Sequence, residues 1–338
     1  MNNTQQKTRV IVAGAGPAGS VCAYLLHQAG IDVVLLDKAQ FPRDKICGGG
    51  LTHKAYELLS ELYPEFHYEY NGVRHIKVSV NGKRTCEFDS DYEIRIVRRE
   101  KFDHELLKQY VKAGGCFVNE GLRCFRVEQD GKIVVTLSDG RELVCNYLVG
   151  ADGANSRVRR QMMRHKDQKV LILEQYMEKS GENEIEILLS NDYSCGYYYR
   201  FPNNDFDVIG YCDHHNNTDK TRVVLKDKGL EETTLKGAFI TVSTDYDLHD
   251  RILLIGDAGG FGNRVTYEGL FYAFKTAQNA SKAIMSGQRF SEVNNLFFKK
   301  KKWEQRMTKF FYSKFGLAFC GLCCRWPRLV KFVFDRNV

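Results

Sequence analysis

The stretch from Arg9 to Asp37, RVIVAGAGPAGSVCAYLLHQAGIDVVLLD, limits what this chain can become more than any other. Val10, Ile11 and Val12 form a β-branched run suited to a strand buried on both faces. Gly14, Gly16 and Gly19 follow at the spacing G-x-G-x-x-G, and a helical pattern runs from about Pro17 to Gln28. Gly30 ends that helix, Val33 to Leu36 make a second buried strand, and Asp37 stands at its carboxyl end. Gly14 permits the tight turn, Gly16 lets a pyrophosphate approach the backbone, and Gly19 lets helix and strand pack closely. The helix N-terminus then offers free N–H groups and the positive end of its dipole to phosphate. Asp37 lies 18 residues beyond Gly19, where a carboxylate can accept hydrogen bonds from a ribose. Strand, glycine turn, helix, second strand and terminal acid in this order predict a dinucleotide-binding unit.

At 338 residues the chain can build one large domain or two modest ones. The polar MNNTQQKTR runs straight into the first strand, and no apolar run reaches the roughly 20 residues of a membrane span. Eleven cysteines without a framework spacing fit a reducing compartment, so the expected location is cytoplasmic, or peripheral at the inner face of the membrane. Net charge is +7, yet Lys299 to Val338 carries 11 basic against two acidic residues, or +9, leaving the rest at −2. That distribution argues against a nucleic-acid-binding protein and puts the positive charge in the tail.

Beyond Asp37, Cys47-Gly48-Gly49-Gly50 makes a loop free of bulky side chains, suited to passing close to a flat ligand. A helix capped by Thr52 follows. Residues 73–80 and 93–97 read as strands, with Asn81-Gly82 as a hairpin turn. RREKFDHELLKQYVKAGG reads as an amphipathic helix, and the strands after it as a small antiparallel patch. A buried strand then ends in GADGANSRVRR, where Asp152 opens a second phosphate-facing turn. Residues 169–248 are strand-like and turn-rich, with Tyr193, Tyr197, Tyr198 and Tyr199 at their centre. The last glycine-rich loop, GDAGGFGNRVTYEG, contains Asp257, Gly260, Gly262 and Gly269 and precedes a helix from about Glu268. His53 and His104 read as helix-surface groups. Cys320, Cys323 and Cys324 have no nearby histidine to complete a zinc site, so no metal is expected.

Four segments now stand in one order: GAGPAG with Asp37, RxxFDxxL from Arg99 to Leu106, GADGANSRVR and GDAGG. Together they resemble FAD-dependent oxidoreductases of the p-hydroxybenzoate hydroxylase structural class. FPRDKICGGGLTHKA narrows the resemblance to the geranylgeranyl reductase family, as does Tyr197-x-Tyr199-x-Phe201-Pro202 followed by Gly210. The resemblance implies an α/β, overall α+β, protein with a Rossmann-like FAD-binding domain at 8–160 and 249–287. An antiparallel substrate domain at 161–248 and a helical tail at 288–338 complete it. It implies FAD held by Gly14, Gly16, Ala18, Gly19, Asp37 and Lys38 on the first unit. Arg43, Cys47, Gly48, Arg99, Asp152, Asp257, Gly260, Gly262 and Gly269 complete that set. Cys47, Tyr197 and Tyr199 become the catalytic candidates, and Gly49, Tyr197, Tyr199, Phe201 and Pro202 the substrate wall. Tyr199 stands where the family favours tryptophan, Cys212 interrupts a glycine pattern, and residues 263–267 replace a proline-containing turn.

The activity implied is hydride transfer from reduced flavin to a carbon–carbon double bond of an isoprenoid or similar lipid-like substrate. A flavin monooxygenase or halogenase acting on an aromatic or polyketide substrate shares the same motifs, as does an FAD-binding protein without turnover. No second G-x-G-x-x-G marks a nicotinamide domain, so NAD(P)H would bind transiently or a ferredoxin-type donor would serve. The tail interleaves basic and aromatic residues. It reads either as helices packed on the cofactor domain or as a segment lying on an anionic membrane. Its longest uncharged run, Phe315 to Cys324, is ten residues and does not span. No oligomeric state is implied, and a monomer fits the sequence.

Overall fold

Five parallel strands carry the dinucleotide-binding unit in the computed structural model, which describes residues 10–163, 168–193, 195–213, 218–227, 229 and 235–338. Residues 8 and 9, where the expected domain begins, lie outside that set. The strand order is Ile252–Leu254, Tyr147–Gly150, Val10–Ala13, Val33–Leu36 and Cys116–Val118. Side chains alternate across this sheet as a two-residue period requires. Val10, Val12, Val33 and Leu35 face the helices Pro17–Gln28, Arg99–Lys112 and Leu270–Ser286. Ile11, Ala13, Val34 and Leu36 face the other way. There they meet the expected antiparallel patch, whose strands are Leu122–Val127, Ile133–Leu137 and Glu142–Cys145.

The second layer is an eight-stranded sheet. Lys236–Thr241, Lys169–Met177, Asp207–Asp213, Tyr197–Pro202 and Glu184–Leu189 form its expected part. Asn71–Val80, Arg84–Ile96 and Gly50–Leu51 complete it. The boundary drawn at residue 160 is therefore corrected: strands before it belong to the large sheet. The physical reason is a parallel pairing of Glu184–Leu189 with Asn71–Val80, in register from Glu184 opposite His75 to Leu189 opposite Val80. A pairing across that sequence separation leaves no local signal. The hairpin itself forms where expected, with Asn81 and Gly82 at φ 56° and 61°. Thr52 precedes the helix His53–Leu62, but its side chain does not cap it. Its hydroxyl instead donates to Glu268 Oε1 at 2.5 Å.

The tail folds into the helices Phe290–Val293, Asn295–Phe311, Lys314–Cys323 and Pro327–Asp335. Asn295–Phe311 buries Lys301, Glu304 and Thr308. Tyr312, Leu317 and Cys324 pack on Val73, Val80, Cys86 and Phe88 of the large sheet. No described helix is long and apolar enough to cross a membrane.

Phe274 is fully buried in the core beneath the parallel sheet, whereas Phe315 is 84% exposed. Phe274→Ala is expected to lower unfolding free energy by about 3–5 kcal/mol and Phe315→Ala by under about 0.5 kcal/mol, measured by urea denaturation.

Candidate active site

A cavity of about 1560 Å³ runs from the first glycine turn, between the two layers, to the tail helices. At its cofactor end, Gly14 has φ 106°, and a Cβ there would stand 2.4 Å from the Ala151 carbonyl oxygen. A Cβ at Gly19 would stand 1.7 Å from the Gly14 carbonyl oxygen. These two glycines are fixed by the protein's own packing. Gly16 is different: its Cβ would approach only Arg43 Nη2, at 3.4 Å, on the cavity wall. An open cradle at the first residue before the helix is where a phosphate group fits. Asp37 accepts hydrogen bonds from the Ala15 N–H at 2.7 Å and the Ala39 N–H at 2.9 Å, locking the turn to the strand end.

Arg99 does not reach outward. Its guanidinium grips Asp103 with Nε–Oδ1 at 2.8 Å and Nη2–Oδ2 at 2.9 Å, and Arg43 Nη2 adds a contact to the same carboxylate at 3.2 Å. Two guanidinium groups on one carboxylate leave net positive charge beside the cradle. The i,i+4 pairing of Arg99 with Asp103 is written in the RxxFDxxL pattern. Asp152 Oδ2 accepts from the Arg157 N–H at 2.7 Å, while its buried Oδ1 has no hydrogen-bond partner among the described residues. Burial raises the Asp257 carboxyl against the opposing charges of Lys45, Arg99 and Lys301.

The substrate end is built from aromatic rings laid against glycine. A Cβ at Gly48 would stand 2.8 Å from the Phe201 ring, and one at Gly50 3.2 Å. The Cys-Gly-rich loop therefore lies flat on the wall formed by Phe201 and Tyr199. Tyr199 pairs with Gly210 across two strands, and a Cβ at Gly210 would stand 2.1 Å from its ring. Tyr197 stacks on Tyr267 at 5.6 Å, and its hydroxyl donates to the Thr266 carbonyl at 2.5 Å. Most of the expected site residues line this one cavity: Gly14, Gly16, Ala18, Asp37, Lys38, Arg43, Cys47, Gly48, Gly49, Arg99, Asp152, Asp257, Gly269, Tyr197, Tyr199 and Phe201. Gly19, Gly260, Gly262 and Pro202 do not. Gly19 is spent on packing, and a Cβ at Gly260 would stand 1.7 Å from the Ser243 carbonyl oxygen. Gly262 packs on Ile240, and Pro202 ends its strand with its carbonyl accepting from Asn71.

Glu174 is the residue that sequence reasoning missed. It is 1% exposed on the cavity wall, and its Oε1 accepts from the Tyr199 hydroxyl, while Oε2 has no well-aligned hydrogen-bond partner among the described residues. Burial pushes its carboxyl up to about 7, opposed by the Tyr199 hydrogen bond, the charges of Lys45 and Arg99 and the nearby Cys47 N–H. The signal was present in the strand Lys169–Met177: Val170, Ile172 and Glu174 share its inward register, and only one of them is charged. The tail contributes as well. Lys301 donates to the Gly262 carbonyl and pairs with Glu304 at 2.8 Å. Glu304 meets Asn263 and Tyr272 at 3.3 Å and the Arg264 N–H at 3.4 Å. These contacts hold the loop that departs from the expected turn.

This is the architecture of an FAD-dependent oxidoreductase. Residues 7–235 match the FAD binding domain family, and the chain belongs to that family. It is 29% identical over 343 residues to an uncharacterized protein of Methanosarcina barkeri, covering 94% of this chain and 87% of that one. To the chloroplastic geranylgeranyl diphosphate reductase of Arabidopsis thaliana it is 25% identical over 320 residues, 85% of this chain and 67% of the relative. Menaquinone reductase of Mycolicibacterium smegmatis is 36% identical over 165 residues, 45% and 39% of the respective chains. A solved geranylgeranyl bacteriochlorophyll reductase-like protein from Thermoplasma acidophilum superposes with a TM-score of 0.75 at 18% identity, covering 97% of this chain and 98% of that one. The halogenase PltM does so at 0.76 and 17% identity, covering 98% and 84%. At such identities these two show the fold. The open face of Gly16, the Asp152 Oδ1 without a partner among the described residues and the excess guanidinium charge fit the FAD that the family binds.

Gly16→Val is expected to keep a cooperative unfolding transition but lose bound flavin on gel filtration, whereas Gly19→Val loses the transition itself. Glu174 supplies a pH signature. Its folded-state value of about 7 lies above the ordinary 4.5, so the folded protein holds the extra proton. The stability this contributes is full below about pH 4.5, falls as pH rises and is gone above about 7. The melting temperature of Glu174→Gln should lack that fall when both proteins are scanned from pH 4 to pH 8, a window of roughly two units on either side of the midpoint.

Proposed function

We propose that this protein reduces carbon–carbon double bonds of an isoprenoid or similarly apolar lipid substrate. The observation that carries the reading is Glu174: a buried acid, one oxygen without a well-aligned partner among the described residues, on the wall of a large, largely apolar cavity, beside Cys47 and the aromatic rings. Relatives named for the reduction of geranylgeranyl diphosphate and menaquinone support the class. When bound and reduced, FAD supplies the hydride, and NAD(P)H or a ferredoxin-type donor restores it.

The protein's own part is to exclude water, orient the chain and hold a proton. Phe201, Tyr197 and Tyr199 give the alkene an apolar wall, and Gly48 and Gly50 let the neighbouring loop lie flat against those rings without a side chain displacing them. The proton on Glu174 Oε2 passes to the alkene carbon that does not receive the hydride. One hydride and one proton are then added, and Glu174 is left as carboxylate. The Tyr199 hydroxyl and the positive charges of Lys45 and Arg99 stabilise that ion until solvent reprotonates it. A carboxyl that titrates near neutrality suits this work, since it is protonated often enough and still acidic enough to donate.

The test uses purified holoenzyme, reduced chemically without oxygen and mixed with a polyprenyl lipid. Return of oxidised-flavin absorbance together with a two-hydrogen mass gain in the lipid is the expected result. No response to lipid, with an oxygen-dependent transient on admitting air, would replace this reading with the monooxygenase or halogenase one. Glu174→Gln should slow lipid-driven reoxidation by about 10²-fold and remove its dependence on pH near neutrality, while bound flavin is retained.

A further inference from the structure

We propose that the outer face of the last two helices, Lys314–Cys323 and Pro327–Asp335, docks on an anionic lipid bilayer, with the mouth of the cavity opening into that contact. The docking is independent of the reaction assigned to the cavity. Phe315, Phe319, Leu322, Trp326, Leu329 and Val333 follow one another at steps of three or four residues, and all are exposed. Phe315 is 84% exposed and Phe332 61%. Large apolar side chains left exposed along two successive helices mark an interaction site. No residue of Pro327–Asp335 is buried, yet that helix is firmly placed. Phe334 meets Phe88 edge-on at 5.5 Å, Asp335 accepts from the Ser90 hydroxyl at 2.5 Å, and Lys331 pairs with Asp91 at 2.6 Å. The fold thus spends one side of the helix on anchoring and leaves the other to solvent.

Charge selects the occupant. Lys309, Lys314, Arg325, Arg328 and Arg336 of the same segment are exposed as well. A second copy of this chain would bring like charge against like, whereas anionic headgroups complement it. Apolar side chains in the acyl boundary with cations at headgroup level is the pattern of an interfacial helix lying in the membrane plane. The cavity fits the same geometry: Phe310, Phe319, Leu329 and Val333 are exposed and also line it. An apolar chain entering there would pass from one apolar medium to another.

Vesicle flotation of the full-length, flavin-loaded protein tests this. Vesicles of phosphatidylcholine with phosphatidylglycerol should carry the protein to the top of the gradient, and vesicles of phosphatidylcholine alone should carry at least about tenfold less. Raising the salt should weaken the binding. Phe315→Ser combined with Trp326→Ser and Phe332→Ser, all exposed positions, should abolish flotation while flavin content and circular dichroism are kept. Arg325→Glu with Arg328→Glu should weaken it by roughly tenfold or more and provides a second readout that leaves the rings in place. Failure to float with anionic vesicles overturns the proposal, as does flotation unchanged in both variants. A dimer in sedimentation velocity that the serine variant dissolves would assign the face to a second copy and overturn it equally.

Discussion

The Gly14 carbonyl oxygen occupies the space where a side chain at position 19 would begin, 1.7 Å from that Cβ position. Strand, turn and helix can approach so closely only with hydrogen at both glycines. Everything downstream inherits this placement. The helix Pro17–Gln28 is pressed against Leu270–Ser286, which seats the GDAGG loop. Asp37 ties the turn to the second strand, and Gly16 is left as the one glycine of the three facing open space. The cofactor end of the cavity is a by-product of how tightly the first unit packs.

At the other end the constraint is electrostatic. Lys301 and Glu304 are nearly fully buried, and burial pushes the lysine down to about 8 against the pull of its partner. A buried ion pair is costly unless its remaining hydrogen-bonding capacity is satisfied. Here Gly262, Asn263, Arg264 and Tyr272 satisfy it, so the pair fixes the loop from Gly262 to Glu268 to the tail. The cationic tail is thus divided in function: four of its consecutive residues begin with the exposed Lys299 and Lys300, while Lys301 faces inward. A net charge summed over the segment cannot show that division.

What the sequence made legible was local. The glycine spacing, the terminal Asp37, the Asn81-Gly82 hairpin, the antiparallel patch and the helical tail all have short-range physical signatures, and they stand where those signatures put them. The large sheet was only half legible, because residues 71–96 join it through a parallel pairing with 184–189 that no short window can display. The aromatic wall was visible as residue types, but its fit to the loop depends on which glycine faces which ring. Glu174 was overlooked among hydrophobic neighbours although its register pointed inward. Arg99 was found, and its side chain lines the cavity while paired with Asp103. Position along the chain identified the right neighbourhood; the partners of each group came from the tertiary fold.

Tyr199 lies over Gly210, and its hydroxyl reaches Glu174 from a strand one further along the sheet. The three residues sit on three adjacent strands, so one bond reports on two alignments at once. Sliding Tyr197–Pro202 by a single residue would turn the ring to the opposite face and strand a carboxyl in apolar surroundings. Misaligned sheets are thereby penalised at their centre, and the residue pair at the heart of the cavity also acts as a proofreading device for the chain's own assembly.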